Sequence, residues 1–345
     1  MDRDKKEMGM SRSALGHIFL SLLLVSVLSP LAHAAGFNTI EVPADSHGGV
    51  LRGAVWYPCA TPAEPFQLGP VVLSGVRRCA ATGANWPLIV LSHGSGGSYL
   101  GHHDTAEALA DAGFVVVAIN HPGDNFQDLS DQGHLRALAN RPRDIERLID
   151  FMTQAWPERA RLAPGKIGLF GFSRGGYTGL TLAGAAPDFS LMAQYCHGAD
   201  YPFCQEVRAH ELPPSPSGDG RIKAYVIADP LNLFQRQALQ GITAPMQLWA
   251  SELGGDGVAL TSVEAIRQGL MVSPQYRLVR NAGHFAFLAP CNPQQRLRLP
   301  ELCTDPDGFD RGAFHRQFNA EIVRFFVQHL SNGSVQQPAQ SSLTP

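Results

Sequence analysis

The chain has 345 residues, of which 44% are hydrophobic and only 17% charged, and its formal net charge is −3. That composition suits one sizeable folded core and excludes a disordered or low-complexity chain. The slightly acidic balance offers no basic surface to a nucleic-acid partner.

Residues 1–34 stand apart from the rest. Arg12 precedes an apolar run from Ile18 to Leu28, and Ala32-His33-Ala34 follows, which is the layout of a secretory signal peptide cleaved after Ala34. The run is too short to cross a bilayer core of about 30 Å as a helix. The expected product is therefore secreted or periplasmic, without a stable membrane anchor. Residues 35–330 form the expected folded domain, and the polar tail 331–345 is expected to be disordered.

In chain order, residues 35–86 read as one or two antiparallel strands and a disulfide-closed loop. From 87 to 186 apolar strands alternate with amphipathic helices, the pattern of a mostly parallel sheet with helices on both faces. The strands are 87–92 (PLIVLS), 114–119 (FVVVAI) and 166–172 (KIGLFGF). The helices are 105–112, 142–155 and 175–185, the second starting at Pro142, where a missing N–H costs nothing. Residues 187–220, rich in Pro, Gly and Cys, read as an insertion before the strand 222–228 (IKAYVIA). Strand 246–250, helix 263–270, strand 276–280 and a helix over 313–330 complete the series.

All six cysteines lie beyond the leader and fall into three close pairs, so disulfides 59–79, 196–204 and 291–303 are expected in an oxidising compartment. No C-x-x-C or H-E-x-x-H spacing points to zinc, and no metal or cofactor is expected. The absence of G-x-G-x-x-G and of G-x-x-x-x-G-K removes the nucleotide-binding reading of the glycine-rich loop after residue 92.

Acyl transfer by a serine needs an imidazole, an orienting acid and donors for the oxyanion. Gly171-Phe172-Ser173-Arg174-Gly175 follows an apolar strand and opens a small-residue helix, the context in which G-x-S-x-G exposes its serine as a nucleophile. Upstream, His93-Gly94-Ser95-Gly96-Gly97 ends the strand 87–92, and the N–H groups of Ser95 and Arg174 are the candidate oxyanion hole. His284, after the last strand, is the candidate base. His93 reads as a structural hydrogen-bonder, His102 and His103 as helix caps, and His121 as a residue lining the pocket. Two strand ends offer the acid. Asp229, whose exit is sharpened by Pro230, is favoured over Asp256, which follows Gly254-Gly255, and Glu252 comes third. Tyr195, His197, Tyr201 and Phe203 in the insertion are candidates for a lid or an acyl-pocket wall, with a solvent-exposed decoration as the alternative.

The segments PLIVLSHGSGGS, FVVVAINHPGDN, KIGLFGFSRGG, IKAYVIADP and NAGHFAFLAPC together resemble the bacterial dienelactone hydrolase-like group. More distantly they are similar to the platelet-activating-factor acetylhydrolases. The resemblance implies an α/β-hydrolase fold without metal or organic cofactor, and the acetylhydrolase pattern implies an acid at Asp229. Two features depart from it: a serine stands where dienelactone hydrolases have a cysteine, and residues 187–220 are longer than the corresponding acetylhydrolase connection. The expected activity is hydrolysis of a small-molecule or lipid-like carboxylic ester. The alternatives are a peptidase or amidase on the same fold, or a non-catalytic exported binding protein.

Overall fold

A computed structural model describes residues 34–196 and 201–331. Residues 1–33 of the expected signal peptide, residues 197–200 with the lid candidate His197, and the expected tail from 332 lie outside the described residues. The chain enters the sheet through four strands rather than one or two: β1 (Ala34–Val42), β2 (Leu51–Cys59), β3 (Glu64–Leu68) and β4 (Val71–Arg77). β1 and β2 pair antiparallel along their whole length, and β3 and β4 form a hairpin beside β1. In β4, Val71, Leu73 and Gly75 are buried while Val72 and Ser74 are not. That period-2 pattern marks a strand with one wet face, and it is short enough to pass for a loop.

The centre of the sheet is β5 (Trp86–Ser92), β6 (Val115–Ile119), β7 (Leu162–Phe172) and β8 (Ile222–Ala228), continued by β9 (Met246–Ser251) and β10 (Gln275–Val279). The ten strands lie in the order β10-β9-β8-β7-β5-β6-β2-β1-β4-β3, with β5 to β10 mutually parallel. β5 and β6 are buried at every residue, as strands covered on both faces must be. The covering helices form two separate cores. On one face α1 (His103–Asp111) and the last helix, Arg311–Leu330, bring Leu109, Phe318, Ile322 and Phe326 against the sheet. On the other, α2 (Leu135–Gln154) and α3 (Arg174–Leu182) bring Leu138, Ile145, Ile149 and Leu180. Each of these side chains contributes roughly 1.5–3 kcal/mol of burial.

α2 begins seven residues before Pro142, which therefore sits inside the helix rather than at its start. A carboxylate from elsewhere in the chain holds the extra turns: Glu206 accepts the Leu135 N–H at 2.8 Å and pairs with His134 Nδ1 at 2.7 Å. Leu135, Leu138 and Arg141 are buried along those turns, so packing outweighs the backbone hydrogen bond that proline forfeits. The segment after α3 contains a 3-10 turn, Phe189–Tyr195, and a short helix, Pro202–Arg208, joined by the Cys196–Cys204 disulfide. Phe189, Met192 and Phe203 belong to the same core as α2 and α3. The other two disulfides are Cys59–Cys79 and Cys291–Cys303.

Candidate active site

The elbow between β7 and α3 is built from what glycine lacks. Ser173 holds φ 56° and ψ −118°, a strained conformation for a residue with a side chain and one typical of functional turns. A Cβ on Gly175 would lie 1.8 Å from Ser92 O, and one on Gly171 would lie 2.2 Å from Gly175 O. Both contacts are with backbone that cannot yield. Gly175→Ala is accordingly expected to lose about 3 kcal/mol or more of stability, read as a fall in Tm or in soluble yield; a wild-type Tm would refute the packing. The serine backbone is tied to the next strand end, its N–H donating to Ala228 O at 3.0 Å and its C=O accepting Leu231 N–H at 3.1 Å.

Asp229 leaves β8 at φ 40° and is buried, as is His284. His284 Nδ1 lies 3.1 Å from Asp229 Oδ2, and Asp229 also accepts the Ser251 N–H at 2.8 Å and the Ser251 hydroxyl. The carboxylate is thus held by two donors from β9 and presented to the imidazole, a role of Ser251 that the sequence analysis missed. The only signal in the chain was a serine closing the run MQLWAS. His284 opens the turn His284–Phe287, donates its N–H to Gly254 O at 2.8 Å and packs its ring on Phe172, with centroids 4.6 Å apart. Its Nε2 is buried and has no hydrogen-bond partner among the described residues. The competing carboxylates are placed otherwise. Asp256 is exposed, on the loop that lines the cavity beside Ser173. Glu252 binds Arg280 Nη1 and Asn281 N–H, each at 2.7 Å.

The loop after β5 carries Ser95 to the same cavity. Its neighbour His93 faces Gly94 O through Nδ1 at 2.7 Å and accepts the His121 N–H at Nε2 at 3.1 Å, which suits a neutral ring. Burial, reinforced by the Arg141 charge, pushes the His93 pKa down to about 3 from 6.5. The unfolded chain therefore takes up a proton below pH 6.5 that the folded protein refuses, and the stability present above that pH is lost as pH falls towards 3. Between pH 7 and about pH 4, the Tm of a His93→Gln variant should decline less steeply than that of the wild type; equal slopes would count against this assignment.

His121 does not line the pocket. It is fully buried between Ser92 Oγ and Asp144 Oδ2, each 2.9 Å away. The trio has the residue types of a triad but no path to substrate, and it fastens β5 and β6 to α2. Burial holds the His121 pKa well down and raises that of Asp144 to about 7, disfavouring the charged form of each group. His102 stands at the N-cap position of α1, where its C=O accepts the Ala106 N–H, but neither histidine caps with its side chain: His102 Nδ1 bonds Phe287 O at the end of the His284 turn, and His103 pairs with Glu107.

The cavity at Ser173 measures about 450 Å³ and has Arg174 beside the serine, with Tyr195, Tyr201 and Phe203 on its walls. Tyr201 and Phe203 stack at 5.2 Å with rings nearly parallel. Among the described residues no group of three or more His, Cys, Asp or Glu is placed to hold a metal. No helix there is long and apolar enough to cross a membrane.

A model of the Hydrolase_4 family, described as serine aminopeptidase S33, matches residues 84–197. Among solved structures, the chain is similar to a ferulic acid esterase from Streptomyces cinnamoneus. The TM-score is 0.60 at 16% identity, over 91% of this chain and 95% of that one. No curated protein sequence matches it. The fold is the α/β-hydrolase fold.

Proposed function

We propose that the protein is an exported serine hydrolase that cleaves carboxylic esters. The observation that carries this reading is the buried hydrogen bond from His284 to Asp229, which leaves Nε2 as the unpaired nitrogen of a ring packed on Phe172, the residue before Ser173. In the proposed reaction Nε2 takes the proton of Ser173 as its oxygen attacks the ester carbonyl. The Ser95 and Arg174 N–H groups receive the negative charge on the carbonyl oxygen. Asp229 keeps the imidazole proton on Nδ1 and stabilises the imidazolium that forms. His284 then hands its proton to the departing alcohol, leaving an acyl-enzyme, and activates a water that releases the acid. No step calls for a metal. The three disulfides support the proposal of an exported protein.

The aromatic walls of the cavity favour an ester with a flat or apolar group, a preference in line with the esterase of similar fold. The partial match to a family described as serine aminopeptidase supports a second reading, an amidase or peptidase using the same acyl-enzyme. A panel of p-nitrophenyl and aryl esters run against peptide anilides separates them. Turnover of esters with negligible cleavage of anilides is expected, and the reverse order would overturn the ester reading.

A further inference from the structure

A fully buried arginine reaches the Ser95 loop from α2. Arg141 donates from Nη1 to His93 O at 2.7 Å and from Nη2 to Gly94 O at 2.9 Å, and its Nε–H goes to Asp124 Oδ2 at 3.0 Å. Asp124 is buried too. Its Oδ1 accepts the Gly96 N–H at 3.0 Å, and its Oδ2 also takes Arg174 Nη1 at 3.2 Å. One carboxylate is therefore bonded both to the loop that carries Ser95 and to the residue that follows Ser173.

A trans peptide holds its C=O and N–H on opposite sides. Because Gly94 O is drawn to Arg141, the Ser95 N–H on the same peptide unit is directed away from Arg141. Gly94 is also close to the nucleophile, since a Cβ built on it would lie 3.2 Å from Ser173 Cβ. Among the described residues the Ser95 N–H has no acceptor. As the first residue of α3, Arg174 has an N–H without an intrahelical partner. A buried ion pair is a poor source of net stability compared with apolar residues of the same volume, so what these bonds position matters more than what they hold together.

Resting on the esterase reading, we infer that Arg141 and Asp124 are positioning residues that set the oxyanion hole. Arg141 turns the Gly94–Ser95 peptide so that its N–H faces the reacting carbonyl. Asp124 locks that loop to Arg174, fixing the separation of the two donors. Neither side chain touches substrate.

The test measures kcat, KM and the affinity of an arylboronic acid, which forms a tetrahedral adduct with a nucleophilic serine, on full-length Arg141→Lys and on the double variant Arg141→Met with Asp124→Asn. Lysine keeps the charge beside Asp124 but cannot span both carbonyls, and the double variant removes both fully buried charges together while Arg174 keeps its bond to Gln132 O. The double variant is expected to lose about a hundredfold in kcat, with KM moved less than about threefold and boronate affinity weakened in step. Arg141→Lys should lose at least about tenfold in the same two quantities. In Arg141→Ala, added guanidinium should restore kcat and boronate affinity together. Wild-type kcat in either of the first two variants, once shown by circular dichroism to be folded, overturns the inference. A loss confined to KM does the same. If the wild type neither turns over esters nor reacts with a fluorophosphonate, it is the esterase reading that fails.

Discussion

Ser173→Ala is expected to lower ester turnover by about 10⁴- to 10⁶-fold, the range found when a serine nucleophile is removed from an intact oxyanion site. The change deletes one oxygen from a position whose strain comes from its neighbours, so the fold should survive. The elbow is held by Ser173 backbone bonds to Ala228 and Leu231 and by Gly171 and Gly175, none of which the substitution alters. Loss of turnover without loss of Tm is thus the expected result, measured with a p-nitrophenyl ester and with fluorophosphonate labelling. Activity within tenfold of wild type would remove Ser173 from the mechanism.

The second large effect concerns the acid. Asp229→Asn preserves shape but replaces the oxygen that accepts the His284 Nδ1–H with a group able to donate, which invites the wrong imidazole tautomer. A fall of about 10³- to 10⁴-fold in kcat is expected. Asp256→Asn should cost less than about tenfold and act mainly through KM, because Asp256 lines the cavity while Asp229 bonds the ring. Measuring kcat and KM for both variants on one ester decides the matter: if only Asp256→Asn is crippled, the acid lies on the loop after β9.

What the sequence makes legible is what local physics dictates. The runs PLIVLS, FVVVAI and IKAYVIA, short and rich in β-branched residues, read as strands covered on both faces, and in the structure only Lys223 among them is exposed. Gly171 and Gly175 must be glycine because backbone oxygens occupy the space a Cβ would need. The three disulfides join cysteines that are neighbours in sequence. The misses share a cause, which is that distant contacts decided them. α2 starts at Leu135 because Glu206 caps it, and no local pattern discloses that. His121 and His102 are conspicuous as residue types, yet both are committed to internal hydrogen bonds. Arg141 escapes notice because its two carbonyl partners lie almost fifty residues upstream. Asp124 escapes notice for the same reason, its arginine partners being 17 and 50 residues downstream. The resemblance to dienelactone hydrolases, read from short motifs, is finer than what the comparisons support, which is the α/β-hydrolase fold.

The bonds at the elbow also bear on how the molecule moves. Ser173 N–H to Ala228 O, Ser173 O to Leu231 N–H and Asp229 N–H to Trp249 O are rungs at the end of the central ladder. Exposing the amides of 173, 229 or 231 to solvent requires parting β7, β8 and β9. Their hydrogen exchange should therefore be as slow as global unfolding allows. The cavity wall is built differently: Tyr195 reaches Gly257 O through a single bond of 3.3 Å, and Tyr201 is half exposed. On the proposed function, amide exchange at 195 and 201 is expected to be faster than at 173, 229 and 231, which would put adaptation to substrate shape and rigidity of the chemistry in separate parts of one chain.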